Sequence, residues 1–268
     1  MTALDAVPSW PATAAVTVTD ARRTLATTGP DSAFPWASVT KLVTALTVLA
    51  SVDRGEVALD EPAGPPGATL RHLLAHASGL APDGDSVIGP PGRRRIYSNR
   101  GIEVAARLVA DRTGAKFADL LQERVLDPLG MSGTVLAGSP AHGARGPVQD
   151  LAVLGRELLA PTLLPDLTAE AVRPVFPGLS GVLPGFGRQN PNDWGLGFEI
   201  RDGKTPHWTG TRNSGATFGH FGQSGSFLWV DPVAGLACAS VADRPFGEWA
   251  AQAWPELSDA VLAEYRQP

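Results

Sequence analysis

Between Ser38 and Val52 the chain encodes a helix with no distinct polar face. Val39, Leu42, Val43, Leu46, Leu49 and Ala50 recur at three- and four-residue spacing, and small or apolar residues fill nearly every position between them. A helix apolar on all sides has to be buried, not merely docked on a surface. The rest of the chain must therefore wrap around it, and 268 residues suffice for that, as one large domain or two intimately joined ones. Gly55 supplies a stop for the helix.

The flanking patterns say what does the wrapping. Thr13 to Thr19 alternates and reads as a strand, turning near Asp20 to pair with Arg22 to Thr27. A Pro/Gly stretch from Pro62 to Gly67 leads to a short helix at Leu70 to His76, followed by a Gly-, Pro- and Asp-rich loop from Ser78 to Tyr97. A helix starts near Asn99 and closes at Gly114, another spans Phe117 to Leu126 and stops at Pro128, and Val148 to Val175 is helical with proline breaks. Beyond Trp194 come short strands at Gly195–Ile200, Thr217–Phe221, Gly225–Val230 and Gly235–Ala242, then an amphipathic helix from Glu248 to Tyr265. This order predicts an α+β protein with an antiparallel sheet from both chain ends flanked by helices. The expectation is one domain over 1–268, its sheet lobe at about 1–37 and 195–268, its helical lobe at about 56–194, and a cleft between them.

Charge and composition exclude some functions. The net charge of -5 offers no basic face, so nucleic acid is not an expected partner. The run Arg93-Arg94-Arg95 sits in a Pro/Gly loop and reads as solvated, not as an anion site. Cys238 is the single cysteine, so no intrachain disulfide forms, and its apolar setting marks it as a small buried hydrophobe. No basic-then-apolar leader opens the sequence, and no apolar run approaches the ~20 residues of a bilayer span. The expectation is a cytoplasmic protein. Asp60 reads as a turn residue.

Three segments carry chemistry. In Ser38-Val39-Thr40-Lys41, residues three apart share a helix face. A serine hydroxyl is a weak nucleophile that needs a base within reach, and lysine serves when burial lowers its pKa. The helix N-terminus also favours negative charge developing near Ser38; the alternative is Ser38 as an N-cap and Lys41 as a surface cation. In Tyr97-Ser98-Asn99, a phenol can relay protons and an amide can hold a carbonyl or the lysine; the alternative is an aromatic packing residue before a helix cap. In His220-Phe221-Gly222, glycine would let a substrate approach the strand, and the backbone N–H of Gln223 could join that of Ser38 as an oxyanion-binding pair. A strand histidine can equally be a structural residue.

In order and spacing, these segments resemble the signature of the serine β-lactamase and penicillin-binding protein superfamily: Ser-x-x-Lys, Tyr-x-Asn, then Lys-Thr-Gly or a variant. Leu70 to Leu80, Pro91-Gly92 and Pro128-Leu129-Gly130-Met131 are similar to its class C-like members and to family VIII esterases, and the likeness runs from about Thr13 to the C-terminus. The resemblance implies the β-lactamase/transpeptidase fold with a reduced helical lobe, since the chain is short for the group. It implies an acyl-enzyme at Ser38, Lys41 and Tyr97 as general bases, Asn99 orienting the substrate or Lys41, His220 where lysine often stands, and amides of Ser38 and Gln223 as the oxyanion hole. No cofactor is implied, and the partner is a small acyl substrate, an ester or a lactam.

The third motif departs from the pattern, with His220 for lysine and Phe221 for threonine. A neutral imidazole binds a carboxylate less strongly than an ammonium does, which favours an ester or neutral acyl substrate over β-lactams and D-alanyl peptides. A D-alanyl-D-alanine carboxypeptidase and a non-catalytic penicillin-binding sensor are the alternatives. His72 and His76, four apart, invite a metal reading, but no third ligand has convincing spacing. Substrate choice is expected to lie in the loops Ala81–Pro91 and Leu179–Asn192.

Overall fold

The computed structural model describes residues 2–266; the outer limits expected for the domain, Met1 and Pro268, lie outside them. Segments from both chain ends build a six-stranded antiparallel sheet: β1 (Ala14–Thr19), β2 (Thr24–Thr28), β3 (Glu199–Ile200), β4 (Phe218–Gly222), β5 (Ser226–Asp231) and β6 (Leu236–Ala242), in the order β2-β1-β6-β5-β4-β3. The N- and C-terminal parts meet where β1 pairs with β6, from Ala14 opposite Ala242 to Thr19 opposite Ala237. Main helices are α1 (Thr40–Asp53), α2 (Leu70–Leu74), α3 (Asn99–Thr113), α4 (Val148–Leu159) and α5 (Glu248–Tyr265).

The central strands are covered on both faces. Ala15, Leu228, Ala239 and Val241 join a core shared with α1 and α4. Val16, Val18, Trp229 and Cys238 point the other way, into a second core under α5. Two-sided burial explains why β6 reads as a nearly continuous apolar run. Burial also pushes the Cys238 thiol up.

Helix α1 is the buried post that its sequence predicts, with every residue from Thr40 to Ser51 inside. Its hydroxyls are satisfied in place: Thr44 donates to the Pro140 carbonyl at 2.6 Å, Thr47 to that of Val43 at 2.8 Å, and Ser51 to that of Thr47 at 3.2 Å. Its start differs from expectation. Ser38 lies in a 3-10 turn over Ala37–Val39, and the α-helix begins at Thr40.

Other local readings are corrected. The helix expected over Leu70 to His76 ends at Leu74, and His76 adopts φ +53. His72 and His76 therefore do not share a helix face: His72 Nδ1 serves the α2 N-terminus at Thr69, whereas His76 Nδ1 accepts from the Ser98 N–H at 3.1 Å. Pro128 does not stop its helix. The segment runs on through a π-helical stretch, Gln122–Leu126, into Asp127–Leu129, so Pro128 lies within a continuous helical run; Gly130, at φ +70, makes the stop. The strand expected at Gly195–Ile200 shrinks to Glu199–Ile200, because Gly195 N–H donates to the Phe198 carbonyl and turns the chain. Asp60 is more than a turn residue, since it pairs with Arg71 at 2.9 Å.

The largest correction concerns Arg95, which is 2% exposed rather than solvated. Its guanidinium donates to the carbonyls of Asn192 (3.1 Å), Ala75 (2.5 Å), Val175 (2.9 Å) and Phe176 (3.1 Å). Burial pulls it down to about 10, with Asp193 opposing. Arg95 thus staples three irregular segments that have no sheet or helix to satisfy their carbonyls. Replacing Arg95 with Gln should cost about 2–4 kcal/mol, read from urea unfolding; a loss below about 0.5 kcal/mol would contradict the staple.

Candidate active site

Trp36 fixes the approach to Ser38. Its backbone N–H donates to the Ala144 carbonyl at 2.9 Å, its indole Nε1 to that of Gly146 at 3.1 Å, and its own carbonyl accepts from the Ser226 hydroxyl at 2.7 Å. The next residue, Ala37, is held at φ +44, a left-handed conformation that costs a non-glycine residue about 1–2 kcal/mol. Anchoring on three sides holds that strain, and the turn delivers a half-buried Ser38 to the wall of a cavity of about 160 Å³.

The first two motifs converge there. Lys41 Nζ lies 3.0 Å from Ser38 Oγ, 2.8 Å from Asn99 Oδ1 and 2.9 Å from the Ala141 carbonyl. The Tyr97 hydroxyl donates to Ser38 Oγ at 2.6 Å. Ser98, between the two, is the cap of α3: its Oγ accepts from the Gly101 N–H at 3.0 Å and donates to the Ala81 carbonyl at 2.6 Å. That cap places Tyr97 and Asn99 on either side of the helix start, facing Lys41. Asn99 Nδ2 in turn donates to Asp83 at 3.0 Å, which fixes Oδ1 as the atom toward the lysine.

Burial dominates the electrostatics. It brings the wholly buried Lys41 amine down to about 7, against the weaker pull of Asp83 and Glu103. As an ammonium, Nζ donates to all three oxygens. As a free amine, it keeps two N–H bonds, to Asn99 and Ala141, and turns its lone pair on Ser38, whose hydroxyl then donates. Burial raises the Tyr97 phenol, so it stays a donor at neutral pH.

The third segment also reaches the cavity, with changed roles. His220 Nδ1 lies 2.6 Å from the Phe221 carbonyl and therefore carries a proton; burial, then Lys41, bring the ring down to about 3. It is a neutral imidazole. Gly222 does not leave space for a ligand as expected, because a Cβ there would strike the Trp36 carbonyl and the Ser226 hydroxyl. Its bare backbone instead lets β4 abut the turn that carries Ser38. Gln223, at the end of β4, lines the same cavity as Ser38.

With the site assembled, the chain can be placed among known proteins. The family described as Beta-lactamase matches residues 10–263. The chain belongs to the β-lactamase family. A crystal structure of a β-lactamase from Mycobacterium bovis is 51% identical, with a TM-score of 0.98 over 99% of this chain and 100% of that one. Penicillin-binding protein 4 of Amycolatopsis lactamdurans is 29% identical over 160 residues, 47% of this chain and 42% of that protein. The D-alanyl-D-alanine-carboxypeptidase/endopeptidase AmpH of Escherichia coli is 29% identical over 147 residues, 41% of this chain and 38% of that protein. The match spans less than half the length of these two curated relatives.

Sequence reasoning missed part of this β-lactamase-family site. Trp194 and Glu199 line the cavity, and His76 packs behind it, 4.8 Å from the Tyr97 ring and 4.7 Å from that of Trp194. Burial pushes the Glu199 carboxyl up, but Lys204 and His207 outweigh it and hold the group below the ordinary carboxylate range. Glu199 ion-pairs with Lys204 and accepts from Trp208 Nε1 at 3.0 Å. Its only sequence signal was a carboxylate in an otherwise apolar strand candidate. Among the described residues, no helix is long and apolar enough to cross a membrane.

The chain has three lysines, Lys41, Lys116 and Lys204, so one can be followed alone. In protein labelled with [ε-13C]lysine, the Lys41 resonance, identified by its loss in Lys41→Met, should titrate near pH 7. Titration near the ordinary lysine value would show that burial does not free the amine.

Proposed function

We propose that this β-lactamase-family protein is a serine hydrolase that cleaves esters through an acyl-enzyme on Ser38. The observation that carries the reading is Ser38 Oγ held between a wholly buried Lys41 amine at 3.0 Å and the Tyr97 hydroxyl at 2.6 Å. In the first half-reaction, Oγ attacks the ester carbonyl and its proton passes to the free Lys41 amine. Backbone N–H groups of Ser38 and Gln223 receive the oxyanion, a role supported by the tight contact between Gly222 and the Trp36–Ala37 turn. The tetrahedral adduct expels the alcohol, which takes a proton from Tyr97 while Lys41 re-protonates the phenol. Water then attacks the acyl-enzyme with Lys41 again as base, releasing the acid and restoring Ser38.

The ester preference rests on charge. Penicillins and D-alanyl peptides present a carboxylate, and no lysine or arginine lines the cavity to receive it: the Lys41 amine behind Ser38 is near neutral, and the cation beside Glu199, Lys204, is already paired. His220, neutral with its proton committed to Phe221, offers no charge-assisted contact. Penicillin opening and D-alanyl hydrolysis are therefore expected to be slower than ester cleavage. A Ser38 adduct that never turns over would instead mark a sensor.

Hydrolysis of 4-nitrophenyl acetate tests the reading. Ser38→Ala and Lys41→Met should each lower kcat by about 10³-fold or more, and Tyr97→Phe by about 10²-fold. Below about pH 7 Lys41 holds its proton and has no lone pair, so kcat/KM should rise with pH and level off above about 7. Turnover that persists in Ser38→Ala, or penicillin G opened faster than the ester, would overturn the assignment.

A further inference from the structure

A second concavity, of about 420 Å³, adjoins the Ser38 cavity and shares Tyr97 and Pro184 with it. It lies between the loop leading to Tyr97 and a hairpin of two short strands, Gly181–Leu183 and Gly187–Gln189. Its walls are largely apolar, with Ile88, Ile96 and Val182 among them. Ile88 and Val182 are 46% and 59% exposed, and Val87 beside them 53%; these are three of the five large apolar side chains that stand most exposed among the described residues. An apolar patch concentrated beside a nucleophile marks a binding surface better than scattered exposure does.

The same groove carries positive charge. Arg94 and Arg188 line it and are exposed, and neither has an ion-pair partner among the described residues. Arg94 Nη2 donates to the Ile88 carbonyl at 2.7 Å, which holds its guanidinium against the apolar wall. No carboxylate lines the groove, although the protein as a whole has a net charge of -5. Arg95, the remaining arginine there, is used up on backbone carbonyls.

We propose that this groove binds an apolar chain of the substrate that ends in an anionic group, the chain lying along Ile88, Ile96 and Val182 and the anion meeting Arg94 and Arg188. The proposal rests on the hydrolase reading and adds a substrate class to it: an amphiphilic ester, neutral at the scissile bond and negative at its far end. Charge is then recognised away from the neutral His220. Burying a methylene is worth about a three- to fourfold gain in binding, and a guanidinium fork pairs with a carboxylate in a way that a neutral chain end cannot match.

The test compares 4-nitrophenyl esters of acetate, octanoate and octanedioate, the last with a free carboxylate at its far end. The wild-type kcat/KM should rise at least about fivefold from acetate to octanoate and again from octanoate to octanedioate. Val182→Asp should collapse the octanoate-to-acetate ratio, and Arg94→Gln with Arg188→Gln the octanedioate-to-octanoate ratio. Ratios near one in the wild type, or ratios that the variants leave unmoved, overturn the groove while Ser38-dependent acetate turnover leaves the hydrolase reading standing. If acetate turnover does not depend on Ser38, that reading fails, and calorimetric titration with octanedioate decides the groove by itself. Binding weakened at least fivefold by the double arginine variant supports it; no binding, or binding indifferent to the arginines, overturns it.

Discussion

The burial of the Lys41 amine is the constraint on which the site depends. An ammonium inside α1, with no carboxylate in contact, would be costly to hold, and the protein answers by letting the group approach neutrality and by giving it three oxygen partners. Each partner comes from a different part of the chain: Ser38 from the turn before α1, Asn99 from the start of α3, and Ala141 from the loop before α4. Three separate parts of the chain thus converge on one amine, and its desolvation both costs stability and brings the group close to neutrality near pH 7.

The second constraint is the geometry of the turn before Ser38. Ala37 at φ +44 is unfavourable in isolation. Trp36 makes it tenable through hydrogen bonds to the Ala144 and Gly146 carbonyls and from Ser226. Ser226 opens β5, and Gly222 closes β4 against the same turn. The sheet thus positions the Ser38 turn directly, and the glycine of the third motif acts through backbone packing, its Cβ position being filled by Trp36 and Ser226.

Much of this was legible from local pattern. The periodicity of α1, the strands at both chain ends and the three motifs were visible because period and order survive in a single sequence. What escaped was tertiary. Arg95 looked like a member of a solvated basic run, and no local rule reveals that loops near Ala75, Val175 and Asn192 would bring it unsatisfied carbonyls. His72 and His76 had helical spacing, but the chain leaves the helix at Ala75. Pro128 looked like a stop because the pattern did not reveal the π-helical stretch, Gln122–Leu126, through which the helix carries on past it. Glu199 was silent because its partners, Lys204, His207 and Trp208, are assembled by an irregular segment with no periodicity of its own.

The central claim is that Ser38, activated by a neutral Lys41, becomes acylated. Its most direct test is acid-quenched mixing with 4-nitrophenyl acetate, followed by peptide mapping of the intact protein within the first turnover. One acetyl group on the peptide containing Ser38 is expected, formed faster at pH 8 than at pH 6 and absent from Ser38→Ala. Acetylation elsewhere, or full turnover with no covalent species at Ser38, would contradict the account.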